Sequence, residues 1–300
     1  MDLLNDSDEN TCLYSGLACI FLTFSYVGSL YIWRSKLNRT DSLSRSPSHE
    51  DGDHPRTIKR RFFSVFCMML IAPIFTFTLV KEETLERGTL REYMGFRLSG
   101  MIAALIIPLL LTATLFLGPL TMHFIAGTWR LYTNPVIWIS SFQELVWLRN
   151  HVMAPISEEW VFRSCMMPLL LQCLDPLTAV FTGPFLFGIA HFHHVHELLS
   201  GGHSIKSALF ISLFQFSFTT VFGAYSAYLF LRTGHFFAPL VAHVFCNHLG
   251  FPNFFEVLRF PLLQRIIIII NYFLGLYLWI YLLVPLTSPS IYGNKLELLT

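Results

Sequence analysis

Charge is what this sequence has least of. Only 13% of its 300 residues are Asp, Glu, Lys or Arg, where a soluble domain carries about 25%. The net charge is +1, and no basic tract is interleaved with aromatics, so nothing points to nucleic-acid binding. Cys-x-x-Cys pairs are missing among Cys12, Cys19, Cys67, Cys165, Cys173 and Cys246. All but Cys12 fall within apolar segments. They read as buried free thiols that pack as small hydrophobes, and no disulfide framework is expected. No His-Glu-x-x-His occurs, and the two halves show no repeat of one pattern, which argues against a repeat-built transporter. What remains is 54% hydrophobic, with 30 phenylalanines and a mean hydropathy of +0.55. The expected fold class is all-α: a polytopic membrane helix bundle of about eight transmembrane helices around an intramembrane polar cavity.

A spanning helix needs about 20 mostly apolar residues. That length places spans near 12–33, 62–80, 101–122, 151–172, 177–193, 205–231, 236–250 and 265–286. Asp175-Pro176 marks a turn, and Gly183-Pro184 is read as an internal break in the fifth span. Trp129, Trp138 and Trp147 suit a segment lying in the interface. The flank Met1–Asn10 is acidic where a signal peptide is basic, so the first span reads as an anchor. Between spans one and two lie Arg34, Lys36, Arg39, Arg45, Arg56, Lys59, Arg60 and Arg61, which marks that loop as cytosolic. The expected organisation is a lumenal N-terminus at 1–11 and N-terminal helices at 12–100 with the basic loop at 34–61. A catalytic membrane domain follows at 101–290, its core at 151–253, and then a tail at 291–300. Asn5-Asp6-Ser7 is a glycosylation sequon on the side expected to be lumenal.

Three polar clusters interrupt the apolar stretches: Glu158-Glu159-Trp160-Val161-Phe162-Arg163, Phe187-Gly188-Ile189-Ala190-His191 and His243-Val244-Phe245-Cys246-Asn247. Ionisable groups at membrane depth are costly and mark function by default. The expected topology brings all three into one leaflet. On a helix Glu159 and Arg163 are i and i+4, the spacing of a facing ion pair, while Glu158 points about 100° away. Glu159–Arg163 therefore reads as a clamp and Glu158 as a carboxylate facing a cavity, poised as general base towards water. His243 and Asn247 share one helix face, and both supply hydrogen-bond donors suited to an oxyanion. Gly188 permits close approach of a neighbouring helix. His193, His194 and His196 read as loop residues, His235 as a helix-start residue, and His248 as off the His243 face.

Each cluster also admits a structural reading: acids paired with arginines, a satisfied core histidine, hydrogen bonds between helices. Two other chemistries are open. Cys165 lies seven residues after Glu158 and can act as nucleophile with a histidine, although its apolar setting disfavours the thiolate. Glu158, His191 and His243 are also ligand types for a zinc site with an open position.

EExxxR at Glu158–Arg163, FxxxH at Phe187–His191 and HxxxN at His243–Asn247, in that order, resemble the CPBP (ABI) membrane-protease family. Glu-Glu-Trp-Val-Phe-Arg-Ser and Ala-His-Phe-His-His-Val-His are similar to its eukaryotic, CAAX-endopeptidase branch. The resemblance spans about 151–253. It implies an eight-helix, multi-pass enzyme of the endoplasmic reticulum membrane with its site open to the cytosol. Its partners would be the lipid bilayer and farnesylated or geranylgeranylated CaaX proteins, Ras-type small GTPases among them, and it would remove their last three residues. The family uses activated water, with no cofactor and no obligatory metal. Carried over by motif, Glu158 and His191 would activate the water, His243 and Asn247 would stabilise the oxyanion, and Glu159 and Arg163 would give structural support. An apolar groove for the isoprenoid is expected along Phe210–Phe222. Some members of the family are thought to act as interaction or scaffold proteins, which leaves a non-catalytic role as the alternative from another class.

Overall fold

At membrane depth, backbone N–H and C=O groups find no water, so a chain this apolar can satisfy them only within helices or a closed barrel. The computed structural model describes residues 6–32, 54–85, 88–296 and 298–299. Among the described residues it contains helices, turns and no strand. The Asn5 sequon and four basic residues of the first loop (Arg34, Lys36, Arg39 and Arg45) lie outside the described residues.

α1 (Asp6–Tyr31) and α2 (Pro55–Leu79) pack against each other. α2 starts earlier than the sequence suggests: Arg56, Lys59, Arg60 and Arg61 form its first turns and are not part of the preceding loop. His54 caps it by accepting from the Arg56 N–H, and Pro55 occupies the first turn, where its missing N–H costs nothing. α3 (Met101–Leu115) and α4 (Leu117–Ile125) form one apolar pair bent by 75°. A short helix, α5 (Pro135–Gln143), carries Trp138 in the tryptophan-rich connection that follows.

Next comes an unbroken run of helical turns over residues 145–170. It contains the α-helical α6 (Ala154–Glu159) between two wider π stretches, Arg149–Met153 and Trp160–Cys165. After the turn at Asp175, whose side chain caps the Thr178 N–H, α7 (Pro176–Ala190) packs along α8 (Ile205–Thr233). α9 (Phe237–Leu249) packs on α3, and α10 (Leu262–Leu286) packs on α3 and α4. Among the described residues, four helices are long and apolar enough to cross a membrane, or five with the bent pair counted as one span; α7 and α9 are shorter apolar helices.

Three expectations need correction. α7 is not broken at Gly183-Pro184: the helix continues through Pro184. In a bundle, neighbouring helices re-satisfy the backbone group that proline frees. His193, His194 and His196 do not lie in a loop, because a 3-10 turn (His191–His193) and a short helix (His194–Ser200) continue from α7. Cys12 and Cys173 are not free thiols. They form a disulfide with Cα atoms 5.4 Å apart, while Cys19, Cys67, Cys165 and Cys246 are free. Cysteine spacing could not reveal a bridge between residues 161 apart, because helix packing alone brings the start of α1 to the end of the 145–170 run. Gln172 reinforces this junction, donating to Ser15 Oγ and the Leu79 carbonyl and accepting from the Lys81 N–H.

Gly188 works as the sequence suggests. A Cβ there would overlap Thr220 Oγ1 and press on the Phe216 ring, so α7 and α8 touch through it. The C-terminal segment is folded back rather than trailing: Tyr292 is fully buried, and Asn294 donates to the carbonyls at the end of α8.

The bridge yields the first prediction. A non-reducing digest should contain a Cys12–Cys173 crosslinked peptide that vanishes on reduction. Cys12→Ser should lower stability by about 2 kcal/mol, the low end for a native disulfide, measured by thermal unfolding in detergent.

Candidate active site

The polar site is assembled around one fully enclosed acid. Glu159, at the end of α6, has no exposed surface. Its Oε2 lies 3.2 Å from Arg163 Nε and accepts from Ser226 Oγ on α8 at 3.0 Å. Its Oε1 accepts from His243 Nδ1 on α9 at 2.7 Å. The i, i+4 ion pair read from the sequence is therefore present, although the π stretch begins immediately after Glu159. Glu159 does more than clamp Arg163, since it also fixes which ring nitrogen of His243 faces inward. With Nδ1–H committed to Glu159, Nε2 is left pointing at Glu158 Oε2, 3.6 Å away. That separation is too long for a direct hydrogen bond, yet short enough for one water to touch both groups.

The two adjacent acids are thus separated by environment. Glu159 is closed off, whereas 17% of the Glu158 side chain is accessible. Neighbouring positions on a helix point about 100° apart, so one packs between helices while the other keeps part of its side chain exposed.

Arg163 is almost fully buried. Its Nη2 donates to the Gly223 carbonyl, and its guanidinium carbon lies 4.9 Å from the centre of the Phe187 ring. A Cβ on Gly223 would press on Pro184 and on Arg163 Nη2, so this close approach requires glycine. Phe187 explains its own motif. Its ring takes the arginine and packs edge-on against Phe162 and His191, and its carbonyl accepts from His191 Nδ1 at 2.8 Å. His191 is thereby oriented by the residue one turn before it.

Asn247 occupies the exposed end of α9, one turn beyond His243, and one of its amide hydrogens is taken by the Asn150 carbonyl at 2.9 Å. An amide carries two N–H donors, so a second remains beyond the one given to Asn150. The π turn that includes Asn150 is braced by aromatic stacking of Trp147 on His151 and of Trp138 on His248. His248 thus belongs to the tryptophan cluster and not to the face that carries His243.

Several participants had no signal in the sequence. Ser226, Gly223 and the Asn150 carbonyl are small or backbone groups in apolar segments. Tyr26, on α1, shares a 2.8 Å hydrogen bond with Ser157, immediately before the acidic pair. Cys165 is placed where it cannot serve as nucleophile. Its thiol is fully buried in the apolar core, where a thiolate is disfavoured, and no histidine is bonded to it among the described residues. No group of three or more His, Cys, Asp or Glu among the described residues is arranged to hold a metal ion.

Comparison with known proteins places this geometry in context. The family model for the Rce1-like type II CAAX prenyl endopeptidases matches residues 140–249, the stretch that carries the site. CAAX prenyl protease 2 of Homo sapiens is 43% identical over 94% of this chain and 84% of its own length. The protein of that name from Rattus norvegicus is 37% identical over 94% of this chain and 83% of its own length. The one from Arabidopsis thaliana is 29% identical over 98% and 96% respectively. No solved structure matches this chain.

Glu159→Gln should destabilise the protein by about 3–5 kcal/mol, because removing one partner strands a buried charge. Ser226→Ala removes one bond to that acid and should cost about 1–2 kcal/mol. Thermal unfolding of the purified variants in one detergent measures both.

Proposed function

This chain belongs to the Rce1-like family of type II CAAX prenyl endopeptidases, and we propose that it cleaves prenylated CaaX proteins by glutamate-activated water. Its substrates are farnesylated or geranylgeranylated at the CaaX cysteine, Ras-type small GTPases among them, and the last three residues are released. The observation that carries the mechanism is the split between two neighbouring acids, one closed and charge-paired, the other open beside His243 Nε2.

Glu158 takes a proton from a water held between it and the histidines. The oxygen attacks the carbonyl carbon of the prenylated cysteine. The resulting oxyanion is stabilised by the Asn247 amide and by His243, whose ring Glu159 fixes in place. Collapse breaks the C–N bond, and the proton taken by Glu158 passes to the departing amine. His191, held by Phe187, orients the water. No step draws on a cofactor or metal.

A membrane setting suits this chemistry, because the isoprenoid delivers its cysteine at bilayer depth. Phe214, Phe218 and Phe222 repeat every fourth residue on α8. Phe222 lies 4.9 Å from the His243 ring, and Phe251 packs edge-on against both Phe214 and Phe218. This stripe, part of the Phe210–Phe222 stretch, forms an apolar path from the lipid to the site and is the proposed isoprenoid groove.

The disulfide supports a cytosolic opening of the site. Structural disulfides persist in oxidising compartments such as the endoplasmic reticulum lumen. Cys12 lies at the start of α1 and Cys173 just after the 145–170 run. Glu158 lies earlier in that run, and Asn247 near the end of α9. With the bridge lumenal, in the endoplasmic reticulum membrane, the site opens to the cytosol. The basic first loop supports the same orientation.

Release of the tripeptide from a farnesylated CaaX peptide by purified protein tests the reading. Glu158→Ala should lower the rate by at least about 10²–10⁴-fold, as loss of a general base does, with the thermal unfolding profile intact. Phe218→Ser should raise KM for the prenylated peptide. An unchanged KM across polar substitutions on both faces of the stretch would remove the groove from this account.

A further inference from the structure

A polar cavity opens at the far end of α9 from Asn247. It has a volume of about 770 Å³, and its lining includes Arg91, Glu92, Arg97, Leu98, Ser99 and Lys295. It lies between the segment before α3 and the folded-back C-terminal segment, and none of the residues assigned to the active site lines it. His235, which precedes α9, is bonded through Nε2 to the Ser99 carbonyl. Asn247 is ten residues past Phe237, about 15 Å further along the helix at 1.5 Å per residue.

Arg97 makes this cavity unusual. Its Nη1 reaches the Gly293 carbonyl at 3.4 Å, but its Nε and Nη2 are buried with no acceptor among the described residues. Buried donors on a charged group are rarely left unmade, because each unmade bond costs about 1–3 kcal/mol or more. Two more cations, Arg91 and Lys295, stand exposed at the rim. The single acid of the lining, Glu92, is held below the ordinary carboxyl range chiefly by the Thr89 N–H, and it closes a capping box with Thr89. Three cations against one carboxylate leave a surplus of positive charge. An arginine fork with two N–H groups lacking an acceptor matches adjacent oxygens of a phosphate.

The surroundings identify the bearer of that phosphate. Leu98 and Ile102 are 82% and 71% exposed beside the cavity, at the start of α3, a helix of the apolar bent pair. A soluble anion would gain nothing from these side chains, whereas the acyl chains of a lipid would cover them. We propose that this cavity binds the phosphate headgroup of an anionic membrane phospholipid, with Arg97 as the main contact and Lys295 at its rim.

Native mass spectrometry of the purified full-length protein tests this, using dioctanoyl phosphatidic acid and inorganic phosphate as probes in parallel. The readout is binding, so it stands apart from protease activity. Stoichiometric retention of one phosphatidic acid is expected, with much weaker binding of inorganic phosphate. Arg97→Gln should weaken retention about tenfold, the equivalent of one charge-assisted hydrogen bond. Should that variant fail to fold, Arg91→Gln/Lys295→Gln alters only the exposed rim and should weaken retention severalfold. Equal affinity for inorganic phosphate would overturn the lipid assignment and leave an anion site open to solvent. Absence of stoichiometric binding, or retention unchanged in both variants, would overturn the site altogether.

Discussion

One buried carboxylate holds this site in register. Glu159 is ion-paired with an arginine on its own run of helical turns and accepts from a serine on α8 and a histidine on α9. A charge so deeply buried survives only if its lone pairs are taken up by well-placed donors, so three segments must stay where they are or the charge is stranded. The tautomer and tilt of His243 follow from that demand, and the position of Glu158 follows because it is the next residue on the same turn. In the proposed mechanism an acid that touches no reacting atom thus defines where the reaction takes place.

The wide turns on either side of α6 serve the same purpose by a different route. π stretches are rare in helices and gather at functional sites. Here the second one begins directly after Glu159, in the segment that contains Arg163. The first turns the Asn150 carbonyl towards Asn247. Gly223 and Gly188 let α8 come close enough to deliver Ser226 and to receive α7. Phe187 joins the two ends of the arrangement, with its ring under Arg163 and its carbonyl on His191. Polar chemistry inside an apolar bundle thus rests on small residues and aromatic faces as much as on charges.

Much of this was legible beforehand. Apolar run lengths located the helices, and i, i+4 spacing gave the Glu159–Arg163 pair and the shared face of His243 and Asn247, because both signals are periodic and local. Relationships set by helix packing were not legible. Ser226 looks like any serine in a lipid-facing helix until α8 is laid beside α6. Cys12 and Cys173 read as separate thiols until two distant segments end at the same place. The Gly183-Pro184 dipeptide suggested a break because its local rule is strong, yet tertiary packing overrode it. His248 is also informative: its position on α9 put it off the His243 face, but its tryptophan partner came only from packing.

In the proposed mechanism, the contrast between Glu158 and Glu159 also accounts for an active site inside a membrane. A lone buried carboxylate would sooner take up a proton than stay charged. Two adjacent ones would raise that difficulty further, unless one were neutralised. Arg163 neutralises Glu159 locally, and the enclosure around that pair excludes water from it. Glu158 is left with a partly open surface and the Nε2 side of His243. The arginine therefore contributes to the chemistry without reaching the substrate, by leaving only one acid of the pair available to water. Exchanging the two environments would bury the base and expose the brace, so the order of the motif is as constrained as its composition.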